Sequence, residues 1–230
     1  MATPLPITPS LLNVFLTCPR QYEAKYITKE VVFQQDDAAL FGDMVHKSVE
    51  AALKEGAALA PEAEFMQPLV NWCRMMAAQP GMTMYVEHRM CIRRDFTPTT
   101  WFGKGENKPW MRGIADVFFK DDVHKLNINV DWKTGKPKHD KTQSRILSLC
   151  AKHNTGYTKT LNLWAHVKHG ELIMDSFDLV DLAPVQDMLL DVARYERACE
   201  TNQFPAIRNG LCGQWCDVLS CVHNGKNGQA

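Results

Sequence analysis

Two aspartates and a lysine have the spacing that most clearly favours chemistry. Asp116 and Asp131 each lie near the end of a β-rich run, and a short polar turn around 121–122 separates the runs. Antiparallel pairing would bring the carboxylates together, and adjacent carboxylates favour a neutralising Mg²⁺ or Mn²⁺. Lys133 would share the face of Asp131, where its ammonium could contact a scissile phosphate and orient or deprotonate the attacking water. An Asp-X-Lys triplet alone is weak evidence, since many such triplets simply end a strand in solvent.

Four of the eight cysteines are spaced as metal ligands. Cys212, Cys216 and Cys221 lie within a ten-residue segment that has no helical or strand periodicity, and Cys18, before Pro19, is the natural fourth ligand. All-cysteine ligation suits either an iron–sulfur cluster or Zn²⁺, and the sequence does not separate the two. The other four cysteines are expected to be buried thiols: Cys73, Cys91, Cys150 and Cys199.

Local signals predict helices on both sides of a set of strands. Thr8 and Pro9 indicate a helix start, and Cys18-Pro19 indicates a junction between two short helices. Apolar spacing and turn residues predict further helices over 36–54, 61–78, 140–153 and 184–201. They predict strands over 82–94, 111–120, 126–133, 160–168 and 172–179, with a long loop over 97–109.

Composition places the chain among globular proteins. Hydrophobic residues make up 45% and charged residues 23%, so a core can form. Basic and acidic residues are equal at 26 each, so gross charge gives no support to nucleic-acid binding. We expect no membrane segment and a cytoplasmic location, because no apolar run reaches the roughly 20 residues of a membrane span.

The motifs around the two aspartates resemble those of a known nuclease family. Gly113-Ile114-Ala115-Asp116 and Asp131-Trp132-Lys133-Thr134-Gly135-Lys136 are similar to the core motifs of RecB-like nucleases of the PD-(D/E)XK superfamily. Gly42 to His46 resembles the glycine-x-x-x-histidine helix of that family. Gln143 matches the glutamine of its glutamine-x-x-x-tyrosine motif, although Leu147 stands at the tyrosine position.

This resemblance implies a fold and a site. The implied fold is an α/β restriction-endonuclease-like core, with a mixed central β-sheet flanked by helices. The implied catalytic residues are Lys133, Asp116, Asp131 and Gln143. The implied metal-binding residues are His46, Asp116, Asp131 and Trp132.

The cysteine layout resembles an iron–sulfur-containing subgroup that includes CRISPR-associated and phage exonucleases. In that subgroup, one cysteine before proline-arginine and three near the C-terminus hold a 4Fe-4S cluster, which here would involve Cys18, Cys212, Cys216 and Cys221 and join the chain ends. The expected organisation is a single domain over 1–230, with a core at about 36–182 and cluster-binding segments at about 8–28 and 203–223.

The expected function is an Mg²⁺- or Mn²⁺-dependent DNA exonuclease acting at single-stranded ends in recombination, repair or phage replication. Expected partners are DNA and a recombination or CRISPR-type protein. Basic residues around Lys136 and the loop Trp101 to Trp110 are candidate DNA contacts. Two alternatives are a DNA-binding or CRISPR-adaptation-type subunit with little nuclease activity and a zinc-stabilised structural protein.

Overall fold

A computed structural model describes residues 4–31 and 36–226. The chain divides into two compact units. The sheet unit comprises Gln35–Val185, and the terminal unit comprises the described residues of Met1–Gln34 and Gln186–Ala230. The single-domain assignment stays a prediction.

The sheet unit contains one five-stranded mixed sheet. Its strands are β1 (Met82–Ile92), β2 (Met111–Asp121), β3 (Leu126–Trp132), β4 (Lys159–His166) and β5 (Glu171–Asp178), in the spatial order β1-β2-β3-β4-β5. β3 and β4 pair in parallel, and the other neighbours pair antiparallel. The parallel pair requires a crossover, which α5 (Lys141–Thr155) supplies. The predicted α/β class with a mixed sheet is confirmed.

Side-chain caps set the limits of the longer helices. α3 (Asp37–Glu55) begins where Asp36 accepts a hydrogen bond from the Ala39 amide, and it ends at Gly56, whose φ of 72° would strain any residue with a Cβ atom. Asp140 caps α5 in the same way through the Gln143 amide.

The predicted helix over 61–78 is divided. A 3₁₀ segment, Pro61–Met66, precedes α4 (Gln67–Ala77), because Pro68 has no N–H to continue a helix through this point.

The core of the sheet unit lies between the sheet and the helices α3 and α4. Val45 and Val49 of α3 and Val70 of α4 pack with Val117 and Val130 of the sheet, and all five are at most 1% exposed. On the opposite face, α5 packs against β1, β2, β3 and β4. The sheet is therefore flanked by helices on both faces, as predicted.

The terminal unit joins the two ends of the chain around aromatic residues. It contains α1 (Pro9–Thr17), α2 (Pro19–Tyr22), a π-helical turn (Glu23–Ile27) and α6 (Gln186–Thr201). Tyr22 and Tyr195 are fully buried, and their hydroxyl oxygens lie 3.0 Å apart. The Tyr195 hydroxyl also donates to the carbonyl of Leu5, which fixes the N-terminal segment to α6. In the part of the chain described, no helix combines the length and the apolar character needed to cross a membrane.

Candidate active site

Antiparallel pairing of β2 and β3 brings the predicted catalytic residues together. Val117 pairs with Val130, so Asp116 and Asp131 occupy the next opposing positions. Asp116 Oδ2 accepts a hydrogen bond from the Trp132 amide at 3.0 Å. Both aspartates are nearly buried, at 7% and 4% exposure. The short turn and the two-residue strand period explain why the sequence predicted this juxtaposition.

Lys133 and Gln143 hold opposite oxygens of Asp131. Lys133 Nζ lies 2.8 Å from Asp131 Oδ2, and Gln143 Nε2 donates to Asp131 Oδ1 at 2.7 Å. Asp131 Oδ2 has no other polar partner among the described residues. The carboxylate is therefore fixed from both sides.

His46 reaches the site from α3. Its Nδ1 lies 3.5 Å from Asp116 Oδ1, and its ring lies over Trp132 with the centroids 5.3 Å apart. One helical turn earlier, a Cβ atom on Gly42 would lie 3.3 Å from Thr134 Oγ1. The glycine therefore lets α3 approach the loop after Lys133, which is the physical use of the glycine-x-x-x-histidine spacing.

Glu87 is a site residue that the sequence reasoning missed. His46, Glu87 and Asp116 each offer a ligand atom, and these atoms all lie within 4.8 Å of one another. Glu87 lies on β1 between Val86 and His88, whose partners Val117 and Ala115 flank Asp116, so the two carboxylates oppose each other across the strands. A lone acidic residue within a β-rich run was the only sequence signal.

A backbone distortion directs both carboxylates toward α3. Glu87 has a φ of 54°, a left-handed conformation that is rare for residues other than glycine. On β2, the regular alternation is interrupted at the same level: Val117 packs in the core with Val45, yet its neighbour Asp116 meets His46 of the same helix. Such irregularities redirect side chains beside active sites.

Burial and neighbouring negative charge raise the pKa of two acidic groups at the site. Burial and then the charge of Asp116 raise the pKa of Asp131, while Lys133 and Gln143 oppose the shift. Burial, followed by Asp116 and Glu50, raises the pKa of Glu87. A cation at this site would relieve the repulsion that both shifts reflect.

The pKa values of His46 and Lys133 are also raised, because the nearby negative charges favour their protonated forms. Burial alone lowers the pKa of His46, but the hydrogen bond with Asp116 and the nearby negative charges outweigh it, so this pKa lies above its usual value. Burial also lowers the pKa of Lys133, and the charge of Asp131 more than offsets it. Lys133 therefore stays an ammonium at neutral pH.

The donor set fits a divalent cation. A cavity of about 500 Å³ opens between α3 and the strands, and its lining includes His46, Glu87, Ile114 and Asp116. Two carboxylates and one imidazole suit Mn²⁺ or Mg²⁺, which can retain waters for substrate. Among the residues described, the grouping of side-chain ligand atoms contains Glu87 and does not include Asp131. The assignment of Asp131 and Trp132 as metal-binding residues stays a prediction.

A polar network supports Lys133 from beneath. Its ammonium lies 5.3 Å from the ring centroid of Trp164, and Trp164 Nε1 donates to Ser144 Oγ at 3.2 Å. Ser144 Oγ donates to Asp175 Oδ2, which also lies 2.5 Å from His139 Nε2. The network connects α5 and β5 to the loop that follows Lys133.

The departure at Leu147 has a packing explanation. A Cβ atom on Gly113 would lie 2.7 Å from Leu147 Cδ2, and Leu147 is 1% exposed. Leu147 therefore closes the interface between α5 and β2. It supplies no polar group to the site, unlike the tyrosine expected from the motif.

The four predicted cluster cysteines all lie in the terminal unit. Cys18, Cys212, Cys216 and Cys221 line one small cavity of about 10 Å³. The amides of Ile207 and Asn209 donate to Cys18 Sγ and Cys212 Sγ, each at 3.4 Å. The remaining cysteines are buried, as expected.

The cysteine sulfurs are not arranged as a compact metal centre. No three of them lie within 4.8 Å of one another in the described part of the chain. A metal cluster joining the chain ends is therefore not confirmed, and neither is its identity.

A family profile matches most of the chain. A profile of the PD-(D/E)XK nuclease superfamily matches residues 6–221. No curated protein sequence matches the chain.

Among solved structures, SSO0001 is similar at 15% identity and a TM-score of 0.52, over 97% of this chain and 89% of that one. A candidate exonuclease from Eubacterium rectale has 11% identity and a TM-score of 0.49, over 91% and 86% of the two chains. The alkaline exonuclease LHK-Exo from Laribacter hongkongensis has 10% identity and a TM-score of 0.44, over 86% and 89%.

The matched range covers most of the chain. The RecB-like, iron–sulfur assignment stays a prediction. The chain belongs to the PD-(D/E)XK nuclease superfamily.

Proposed function

We propose that this protein is an Mg²⁺- or Mn²⁺-dependent DNA exonuclease of the RecB-like type, which cleaves single-stranded ends in recombination, repair or phage replication. One observation carries the proposal: ligand atoms of His46, Glu87 and Asp116 converge within 4.8 Å, beside the ion pair of Lys133 with Asp131. A purely DNA-binding subunit would gain nothing from carboxylates that repel each other beside a half-buried lysine.

Each residue has a distinct role in this proposal. His46, Glu87 and Asp116 would hold the cation, which supplies Lewis acidity and neutralises charge on the phosphate when it is bound. Lys133 contacts the scissile phosphate and orients the attacking water. Gln143 positions Asp131, and Asp131 in turn positions the Lys133 ammonium.

The test is a cleavage assay with protein purified anaerobically. End-labelled single- and double-stranded DNA is incubated with Mn²⁺ and the wild type, Lys133→Ala or Lys125→Ala. Lys125 is an exposed lysine in the turn between β2 and β3 and serves as the matched control. We expect Mn²⁺-dependent loss of the label from single strands, abolished only by Lys133→Ala. Equal degradation by the wild type and Lys133→Ala would show that the site is wrongly assigned.

We also propose that the terminal unit holds a 4Fe-4S cluster through Cys18, Cys212, Cys216 and Cys221. The shared cavity and the amide donors to two of the sulfurs support this assignment. Zn²⁺ fits less well, because tetrahedral ligation at about 2.3 Å places sulfurs about 3.8 Å apart. A four-iron cube lies between its cysteine ligands and therefore accommodates sulfur atoms that lie further apart.

The cluster proposal has its own readouts. Anaerobically purified protein should be brown and contain about four irons per chain. Cys216→Ser should lose colour, iron and melting temperature, whereas Cys150→Ala, a buried thiol in α5, should keep its iron. A colourless wild type that contains one zinc per chain would contradict the cluster.

A further inference from the structure

One face of the β1–β2 hairpin continues from the candidate metal site toward the 93–110 loop. Glu87 opposes Asp116, and Arg89 pairs with Ile114 two residues further along. Arg112 lies two residues beyond Ile114 on the same face. Each two-residue step covers about 7 Å, so the two arginines lie roughly 7 and 13 Å from the carboxylates along the strands. Ile114 lines the metal-site cavity, which places this face at the opening of the site.

Trp101 of the loop packs on both arginines. The guanidinium of Arg112 lies 4.6 Å from the centroid of the Trp101 ring, and that of Arg89 lies 5.6 Å from it. Arg112 Nη1 also donates to the Trp101 carbonyl. Stacking fixes the plane of a guanidinium while it leaves its N–H edge available to an anion.

Among the described residues, these arginines have no acidic partner. Arg93 of the same hairpin lies 3.6 Å from a carboxylate oxygen of Asp95, whereas neither Arg89 nor Arg112 forms an ion pair with any residue in the described ranges. Arg89 is exposed, and Arg112 Nε is buried with no hydrogen-bond partner in the described part of the chain. The two guanidinium groups are therefore placed to bind an anion supplied from outside the chain.

The loop adds an exposed aromatic ring and positive charge. Phe102 is 77% exposed, directly beside Trp101. Residues 89–112 contain six basic and two acidic side chains, a local excess of four positive charges in a chain whose formal net charge is zero. Positive charge interleaved with aromatic rings is typical of surfaces that bind unpaired nucleic acid.

We propose that Arg89, Trp101, Phe102 and Arg112 form a strand-binding track that guides single-stranded DNA into the metal site. The proposal rests on the proposed nuclease function and specifies its substrate. Trp101 holds the two guanidinium groups in place, the arginines bind successive phosphates, and the exposed ring of Phe102 stacks on a base. Single strands are favoured over duplex because paired bases are already stacked and offer no face to Phe102.

Binding is measured without cleavage by fluorescence anisotropy, with Ca²⁺ in place of Mn²⁺. The probes are labelled 20-mers of oligo-dT and oligo-rU and a blunt 20-base-pair duplex. The variants are Phe102→Ser and Arg89→Gln, which alter exposed side chains and leave the core intact. Lys125→Gln removes one charge beyond the opposite end of β2 and is the control.

We expect Phe102→Ser to weaken oligo-dT binding by about 5- to 150-fold, which corresponds to the loss of one stacked base. Arg89→Gln should reduce the slope of log affinity against log salt by about 0.7, the value for one lost phosphate contact on a single strand. Duplex binding, and all binding by Lys125→Gln, should stay at wild-type values.

Three results would overturn the track. Wild-type oligo-dT affinity in both variants would mean that the stacked arginines only brace the loop. Equal weakening of duplex binding would remove the single-strand assignment, and tighter binding of oligo-rU than of oligo-dT would replace DNA with RNA. A wild type that cleaves no DNA with Mn²⁺ would refute the proposed function instead, and the Ca²⁺ measurements would still decide the track.

Discussion

Replacing Glu87 with glutamine should make the metal-free protein more stable and the Mn²⁺-bound protein less so. Glu87 opposes Asp116 across the strands, and its raised pKa reflects burial and then repulsion from Asp116. Removing a like charge at a directly opposed position should stabilise the metal-free sheet by roughly 0.2–1 kcal/mol. The same change removes one of the three converging ligands.

The effect on the metal-bound form follows from linkage. At free Mn²⁺ equal to 100 times the wild-type Kd, binding stabilises the wild type by about 2.7 kcal/mol. At about 2–4 °C per kcal/mol for a chain of this size, the melting temperature should rise by about 5–11 °C. Mutating a residue that only orients a metal ligand typically lowers metal affinity about 10–100-fold. A loss of that size would leave about 0.4–1.4 kcal/mol of Mn²⁺ stabilisation in the variant.

Calorimetric titration with Mn²⁺ and thermal melts with and without Mn²⁺ measure both effects. Glu87→Gly is the companion variant, because it also relieves the left-handed backbone, worth about 1–2 kcal/mol, and should melt higher than Glu87→Gln without metal. A Glu87→Gln protein that binds Mn²⁺ as tightly as the wild type would remove Glu87 from the ligand set.

Three further perturbations have expected outcomes. Mn²⁺ affinity should fall as the pH decreases through the pKa of His46. Because this pKa is raised, the ring is protonated, and the affinity falls, at a higher pH than for an ordinary histidine. Mn²⁺ titrations over a pH series measure this, and an affinity that does not change with pH would exclude His46 as a ligand. Gly113→Ala should cost about 1–3 kcal/mol in urea unfolding, since its Cβ would meet Leu147, and Leu147→Ala should restore part of that loss if the contact is responsible. Ser144→Ala should lower the free energy of unfolding by about 1–3 kcal/mol, because it leaves Trp164 Nε1 without this acceptor. Unchanged stability would show that this hydrogen-bond network does not stabilise the fold.

The sequence predicted those parts of the site that depend on short-range geometry. Asp116 and Asp131 belong to neighbouring strands joined by a short turn, so the two-residue strand period determines their meeting. Asp36 and Gly56 likewise mark the ends of α3 through local capping. Such signals are contained within a few residues of sequence.

Glu87 was missed because its role depends on an unusual backbone conformation. Nothing in the surrounding run signals a φ of 54°, since no glycine or asparagine occupies the position. The network of His139, Ser144 and Asp175 was missed for a different reason. It depends on the pairing of β5 with β4 and on the placement of α5 across the sheet, and local patterns carry neither.

The make-up of the two units has a consequence for the order of folding during synthesis. The sheet unit is one continuous stretch, Gln35–Val185, so its contacts can form as soon as that stretch has left the ribosome. The terminal unit contains segments that are far apart in sequence. Tyr22 contacts Tyr195, and the Thr17 carbonyl accepts a hydrogen bond from Asn209, so both contacts form only after the later residue has been synthesised. α1 and α2 therefore remain without their packing partners until α6 has been synthesised. A chain that ends before α6 would keep the whole sheet and expose the apolar side chains of Leu11, Leu12 and Phe15.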